Sequence, residues 1–118
     1  MSAGKLELRP LRPDDERSFL EALAEFRAES PPWDFALGYV DDEPFERYVR
    51  RQEAWARGEE LPSGYVPGGF FVGVVDGVIV GRVSIRYQLN EFLAKIGGHI
   101  GYGVRSSQRR RGYASRML

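Results

Sequence analysis

The apolar positions change period partway along the chain. Phe19, Leu23 and Phe26 recur at i, i+4 and i+7, which predicts an amphipathic helix over residues 14–29. Asp14 and Asp15 at its start offer N-cap chemistry and an acidic first turn. Asp41, Asp42 and Pro44 open a second helix, whose stripe of Phe45, Tyr48, Val49 and Trp55 runs to about residue 57. Residues 58–69 are rich in Gly and Pro and read as a loop. The run 70–75 is then almost continuously apolar, as in a strand covered on both faces. Asp76-Gly77 is a two-residue hairpin signal. From Ile79 the pattern alternates, with Ile79, Gly81, Val83 and Ile85 on one face and Val80, Arg82, Ser84 and Arg86 on the other. That alternation predicts a half-buried antiparallel strand. Residues 5–9 and 99–104 add two further strands, and a helix is expected from about residue 111 to Leu118. The predicted order is β-α-α-β-β-β-α, one α/β domain over residues 1–118 with a mainly antiparallel sheet.

Composition narrows the classes. Cysteine is absent, which removes disulfides and thiolate metal sites and fits a cytoplasmic protein. No apolar run approaches a membrane span, and the N-terminus lacks the apolar core of a secretion signal. The net charge is zero but unevenly placed. Residues 1–91 carry 11 Lys+Arg against 17 Asp+Glu, whereas residues 92–118 carry six Lys+Arg and no acid. A basic end of this kind points to an anionic partner. Nucleic acid fits less well, because Tyr113 is the aromatic residue interleaved with the basic run.

The basic end has a specific form. Gly103-Val-Arg-Ser-Ser-Gln-Arg-Arg-Arg-Gly-Tyr-Ala114 sets three arginines, Arg109, Arg110 and Arg111, at the start of a helix. Cations at a helix N-terminus oppose its dipole by a few tenths to ~1 kcal/mol each. A bound anion relieves that conflict, and a turn of successive N–H groups with a glycine can cradle a phosphate. The P-loop and dinucleotide-binding glycine patterns are both absent.

Val104 to Ala114 resembles the acetyl-coenzyme A signature of the GNAT N-acetyltransferase superfamily. In it a valine ends a strand, and [Q/R]-x-x-G-x-[G/A] opens the following helix. Arg109, Gly112 and Ala114 stand at its defining positions. The sequences Gly97–Tyr102 and Arg86–Asn90 look like a bacterial subgroup of that superfamily. The resemblance implies a GNAT-like fold and acetyl transfer from acetyl-coenzyme A to a primary amine, on a small molecule or a peptide, without a metal. It places the coenzyme pyrophosphate on the amides from Arg109 through Arg110, Arg111, Gly112 and Tyr113 to Ala114. The pantetheine arm would lie along Tyr102, Gly103 and Val104, and the Val104 N–H would polarise the acyl carbonyl. His99, or else Glu91, would deprotonate the amine, since a neutral imidazole suits that task.

Two departures accompany the resemblance. Ser106 stands where the family usually has proline. The family's fifth strand, further helix and final hairpin normally follow the helix at which this sequence stops. The fold is therefore expected to lack its C-terminal part, with an unpaired edge on strand 99–104, an uncovered apolar face on the last helix, and a homodimer through that edge. A non-catalytic acyl-coenzyme A-binding or protein-interaction module is the alternative function. Trp33, Tyr39, Trp55 and Tyr65 are expected to pack in the core rather than line an acceptor pocket. Arg82 and Arg86 are expected to form salt bridges to the acidic helices rather than bind an acidic acceptor.

Overall fold

A computed structural model describes residues 5–63, 65–86, 100–109 and 111–117. Its elements are β1 (Glu7–Pro10), α1 (Glu16–Arg27), α2 (Phe45–Ala56), β2 (Gly68–Val75), β3 (Val78–Arg86), β4 (Ile100–Val104) and α3 (Tyr113–Met117). Single 3-10 turns at Pro13–Asp15 and Ser106–Gln108 precede α1 and α3. The four strands form one antiparallel sheet in the order β1-β2-β3-β4. Among the described residues, no helix is long and apolar enough to cross a membrane.

The hairpin forms where Asp76-Gly77 predicts it. Both residues have positive φ, 52° and 79°, and Val75 pairs with Val78 across the turn. That geometry matches the right-handed twist of the strands it joins.

β3 departs from simple alternation. Val74 pairs with Ile79 but Gly73 pairs with Gly81, so Val80 is an extra residue, a β-bulge. Beyond it the faces exchange. Ile79 shares a face with Arg82, whose guanidinium bonds Ser84, while Val80 shares the other with Val83 and Ile85. The stretch 79–83 is buried throughout rather than half-buried, because helices cover both faces of the sheet.

On one face α1 and α2 close an aromatic core. Phe19 is fully buried and lies 5.1–5.6 Å, centroid to centroid, from Phe35, Tyr39, Phe45 and Tyr48. The Tyr48 hydroxyl donates to the Leu37 carbonyl at 2.9 Å, which satisfies its buried polar end. Burial pushes that phenol above its ordinary range. On the other face Tyr113 and Met117 of α3 pack on Val75, Val80, Val83 and Val104. The expected uncovered face of the last helix is therefore buried at these two positions. Gly73 lets α3 approach: a Cβ there would lie 2.5 Å from the Met117 Sδ.

The chain entering α1 is held by Asp15. Its carboxylate accepts both Arg9 guanidinium nitrogens at 2.8 Å and the Arg12 N–H at 2.8 Å. It makes no side-chain cap to α1, so the expected N-cap is replaced by an ion pair with β1.

Candidate active site

Among the described residues β4 forms one edge of the sheet, and its backbone has two sides. The Arg105 N–H donates to the Val80 carbonyl at 2.7 Å. Antiparallel strands turn alternate residues toward the partner. The N–H groups of Gly101 and Gly103 therefore point at β3, and those of Tyr102 and Val104 point out from the edge. The Val104 carbonyl also lies on that side, where the Arg109 Nε donates to it at 3.0 Å.

Beyond β4, α1 brackets the turn. The Glu25 carboxylate accepts the Ser107 N–H at 2.9 Å, the Ser107 hydroxyl at 2.9 Å and the Ser106 hydroxyl at 3.1 Å. It also pairs with Arg105 at 3.2 Å. Burial alone would raise the pKa of Glu25, but the bonds from Ser107, Arg105 and Ser106 outweigh it and hold it below its ordinary value. Just past the end of α1, Glu29 receives the Arg109 guanidinium at 2.8 Å. Ser106 thus takes the family's proline position and fixes the turn by a different means, a hydroxyl bonded to a carboxylate in place of a restricted φ.

Gly112 ends this turn at φ +77°, a conformation that side chains disfavour. A Cβ at Gly112 would meet no protein atom within 4 Å. The glycine is therefore required by its dihedral angle, and the close approach is to open space rather than to another part of the chain. It also explains why the helix begins at Tyr113 and not near residue 111. A cavity of about 350 Å³ lies against the turn, bounded by Tyr102, Gly103, Val104, Arg109, Gly112 and Tyr113. Tyr113 itself is buried beneath it, with the Arg116 guanidinium 5.5 Å above its ring.

The structure therefore brings together Tyr102, Gly103, Val104, Arg109, Gly112 and Tyr113 around one cavity. Arg111 is exposed at the turn. Ala114 stands in the first turn of α3. His99, Glu91 and Arg110 lie outside the described residues.

A second cavity, of about 340 Å³, opens between α2 and the ends of β2 and β3. Trp55 and Tyr65 line it; Trp55 is itself buried, as expected, whereas Tyr65 is exposed and departs from the expected core position. Trp33 and Tyr39 do pack against the aromatic core. Arg82 also departs from expectation. It is 4% exposed and donates to the backbone carbonyls of Asp34 and Phe35 and to the Ser84 hydroxyl, at 2.8–3.2 Å. Its guanidinium stacks 4.2 Å from the Trp33 ring centroid. Desolvation pushes its pKa down to about 10, which still leaves it charged at neutral pH. Carbonyl dipoles and an aromatic face take the place of the expected carboxylate partner.

Glu25 and Glu29 are the neighbours of this turn that motif reading passes over. The separation of acidic and basic halves is the signal for both. Part of the anionic partner of the basic end is α1 of the same chain.

The match to known proteins agrees with this geometry. The family model described as an acetyltransferase (GNAT) domain matches residues 5–118. No curated protein matches the chain significantly. A solved structure described as a GnaT-family acetyltransferase from Bordetella pertussis superposes with a TM-score of 0.57 at 18% identity. The alignment covers 98% of this chain and 64% of the other, so the chain spans just under two thirds of that protein, and the likeness is one of fold. With its family match running from Lys5 to Leu118, the chain belongs to the GNAT acetyltransferase family.

Proposed function

We propose that the chain binds acetyl-coenzyme A at the β4–α3 turn and transfers its acetyl group to a primary amine. The observation that carries this reading is the cavity beside Gly112, into which the free edge of β4 leads. The residues present suit the donor. The amides of the turn from Arg109 to Ala114 would hold the pyrophosphate, with Arg110 and Arg111 adding attraction. The outward N–H groups of Tyr102 and Val104 would receive the pantetheine arm as an added strand. The thioester supplies the acyl group. The amine nitrogen attacks the carbonyl carbon, the carbon–sulfur bond breaks, and the thiolate leaves and takes up a proton.

The Val104 N–H would stabilise the negative charge that develops on the acyl oxygen, the kind of contribution that is commonly the largest in acyl transfer. We assign removal of the amine proton to His99, the residue immediately before β4, with Glu91 as the second candidate. His99→Gln is expected to lower the rate of transfer while leaving acetyl-coenzyme A affinity unchanged.

The exposed Ile100 and Tyr102 on the edge strand favour a homodimer through β4 in the absence of coenzyme, which the pantetheine arm would displace from the same N–H groups, and the chemistry suits a cytoplasmic setting. Isothermal titration with acetyl-coenzyme A tests donor binding, and a thiol-release assay over an amine panel tests transfer. Micromolar binding with thiol release supports the proposal. No binding at millimolar coenzyme overturns it, and binding without thiol release for any amine would favour the non-catalytic module. Light scattering tests the dimer.

A further inference from the structure

The cavity between α2 and the sheet is mostly apolar, and its walls are aromatic. Leu37, Trp55, Tyr65, Val66 and Phe70 supply these surfaces. Trp55 and Tyr65 meet edge to face, with centroids 5.2 Å apart. Tyr65 is 48% exposed and stands at the mouth.

Several of its polar groups already have partners inside the protein. The Trp55 indole donates to the Glu60 carbonyl at 3.1 Å, and the Gln52 amide donates to the Leu37 carbonyl at 2.9 Å. The Ser84 hydroxyl accepts from Arg82 at 2.8 Å, which leaves its own proton to donate inward. A ligand is therefore met chiefly by ring faces and aliphatic groups. The lining among the described residues contains no Asp or Glu, and Arg86 is its formally charged member. Among the described residues, a polycation gains no anionic contact there.

The two cavities lie on opposite faces of the sheet and meet at one strand pair. Tyr102, beside the Gly112 cavity, pairs with Val83, and the next residue, Ser84, lines the aromatic cavity and pairs with Gly101. Neighbouring strands are about 4.8 Å apart. The proposed acyl position at Val104 pairs with Gly81, three positions along β3 from Ser84, so the amine of a ligand in the aromatic cavity has roughly 10 Å of strand to span to reach it.

We infer that this cavity takes the acceptor, and that the acceptor is a primary monoamine with an aromatic or branched apolar body, not a polyamine or an aminoglycoside. The role as acceptor site rests on the proposed acyl transfer, whereas the preference for an apolar amine rests on the cavity alone.

Isothermal titration of the full chain with phenethylamine and with spermidine, each with and without coenzyme A, tests the inference. Phenethylamine is expected to bind at least tenfold more tightly than spermidine. Tyr65→Ala should weaken phenethylamine at least fivefold and leave coenzyme A affinity unchanged, which also shows that the variant is folded. Equal affinities, no phenethylamine binding at millimolar concentration, or indifference to Tyr65→Ala overturns the inference. The two readings fail separately. Coenzyme A binding without phenethylamine binding removes this one. Phenethylamine binding without coenzyme A binding removes the donor site and leaves the apolar-amine cavity standing.

Discussion

The two faces of the sheet are built from different materials. Under α1 and α2 lie interlocked rings, with Phe19 touching four other aromatic side chains and Phe26 stacked on Phe35 at 5.0 Å. Under α3 lie four valines, covered by Tyr113 and Met117 of the helix, and the approach to that helix is fixed by carboxylate–hydroxyl and carboxylate–guanidinium bonds. Apolar burial grows with contact area and is lost in large steps. Polar brackets contribute less to stability but fix direction, and direction is what a phosphate-holding turn needs. The aromatic face therefore carries the fold, and the α3 face carries the proposed donor site.

Substitutions should separate these roles. The largest effect is expected from Phe19→Ala, which opens a void beneath both helices and costs about 3–5 kcal/mol. Chemical denaturation should show that loss, with coenzyme binding falling only in step with the unfolded fraction. A normal melt for this variant would break the comparison at once. Gly73→Ala comes next, because the new methyl group displaces Met117 from the sheet. We expect a loss of about 1–3 kcal/mol together with weaker acetyl-coenzyme A binding, since α3 shifts as a unit.

Gly112→Ala should cost only ~1 kcal/mol, the strain of holding a side chain at positive φ. Acetyl-coenzyme A affinity should nonetheless fall by tenfold or more. A variant that loses stability and affinity in proportion would deny the turn its separate role.

The smallest and most selective effect belongs to Glu25→Gln. The amide can still accept from Ser107, but the charge opposite Arg105 is gone, and coenzyme affinity should fall a few-fold with little change in melting. The pH dependence follows from the lowered carboxylate pKa. The stabilising contribution of Glu25 is complete above its ordinary value of 4.5 and is lost as the pH falls through its lower folded-state value. Wild type should therefore lose more stability than Glu25→Gln on acidification below pH 4.5, and parallel curves would refute this.

The elements readable from sequence were those whose signals are local. The Asp76-Gly77 turn, the stripes of α1 and α2 and the apolar run of β2 each state their conformation within a few residues. The Gly112 signature was legible for the same reason. What escaped depends on partners far along the chain. Glu25 meets Ser107 across 82 residues, and no spacing rule links them. Charges usually find a carboxylate partner, yet the Arg82 charge is solvated in place by carbonyls of a loop 47 and 48 residues away. Trp55 and Tyr65 look the same in sequence whether their rings fill a core or wall a cavity.

The bulge at Val80 gives β3 two parities, one counted from the hairpin and another counted from β4. The extra residue lets Arg82 reach the loop at Asp34 while Val83 reaches α3. A chain lacking Val80 would regain a single count, with Ile79 and Arg82 still on the same side. That deletion would thus leave the aromatic cavity walled as before and place Gly81, which has no side chain, beneath Tyr113. Shortening the strand by one residue would be a cleaner way to disarm the donor side than most substitutions.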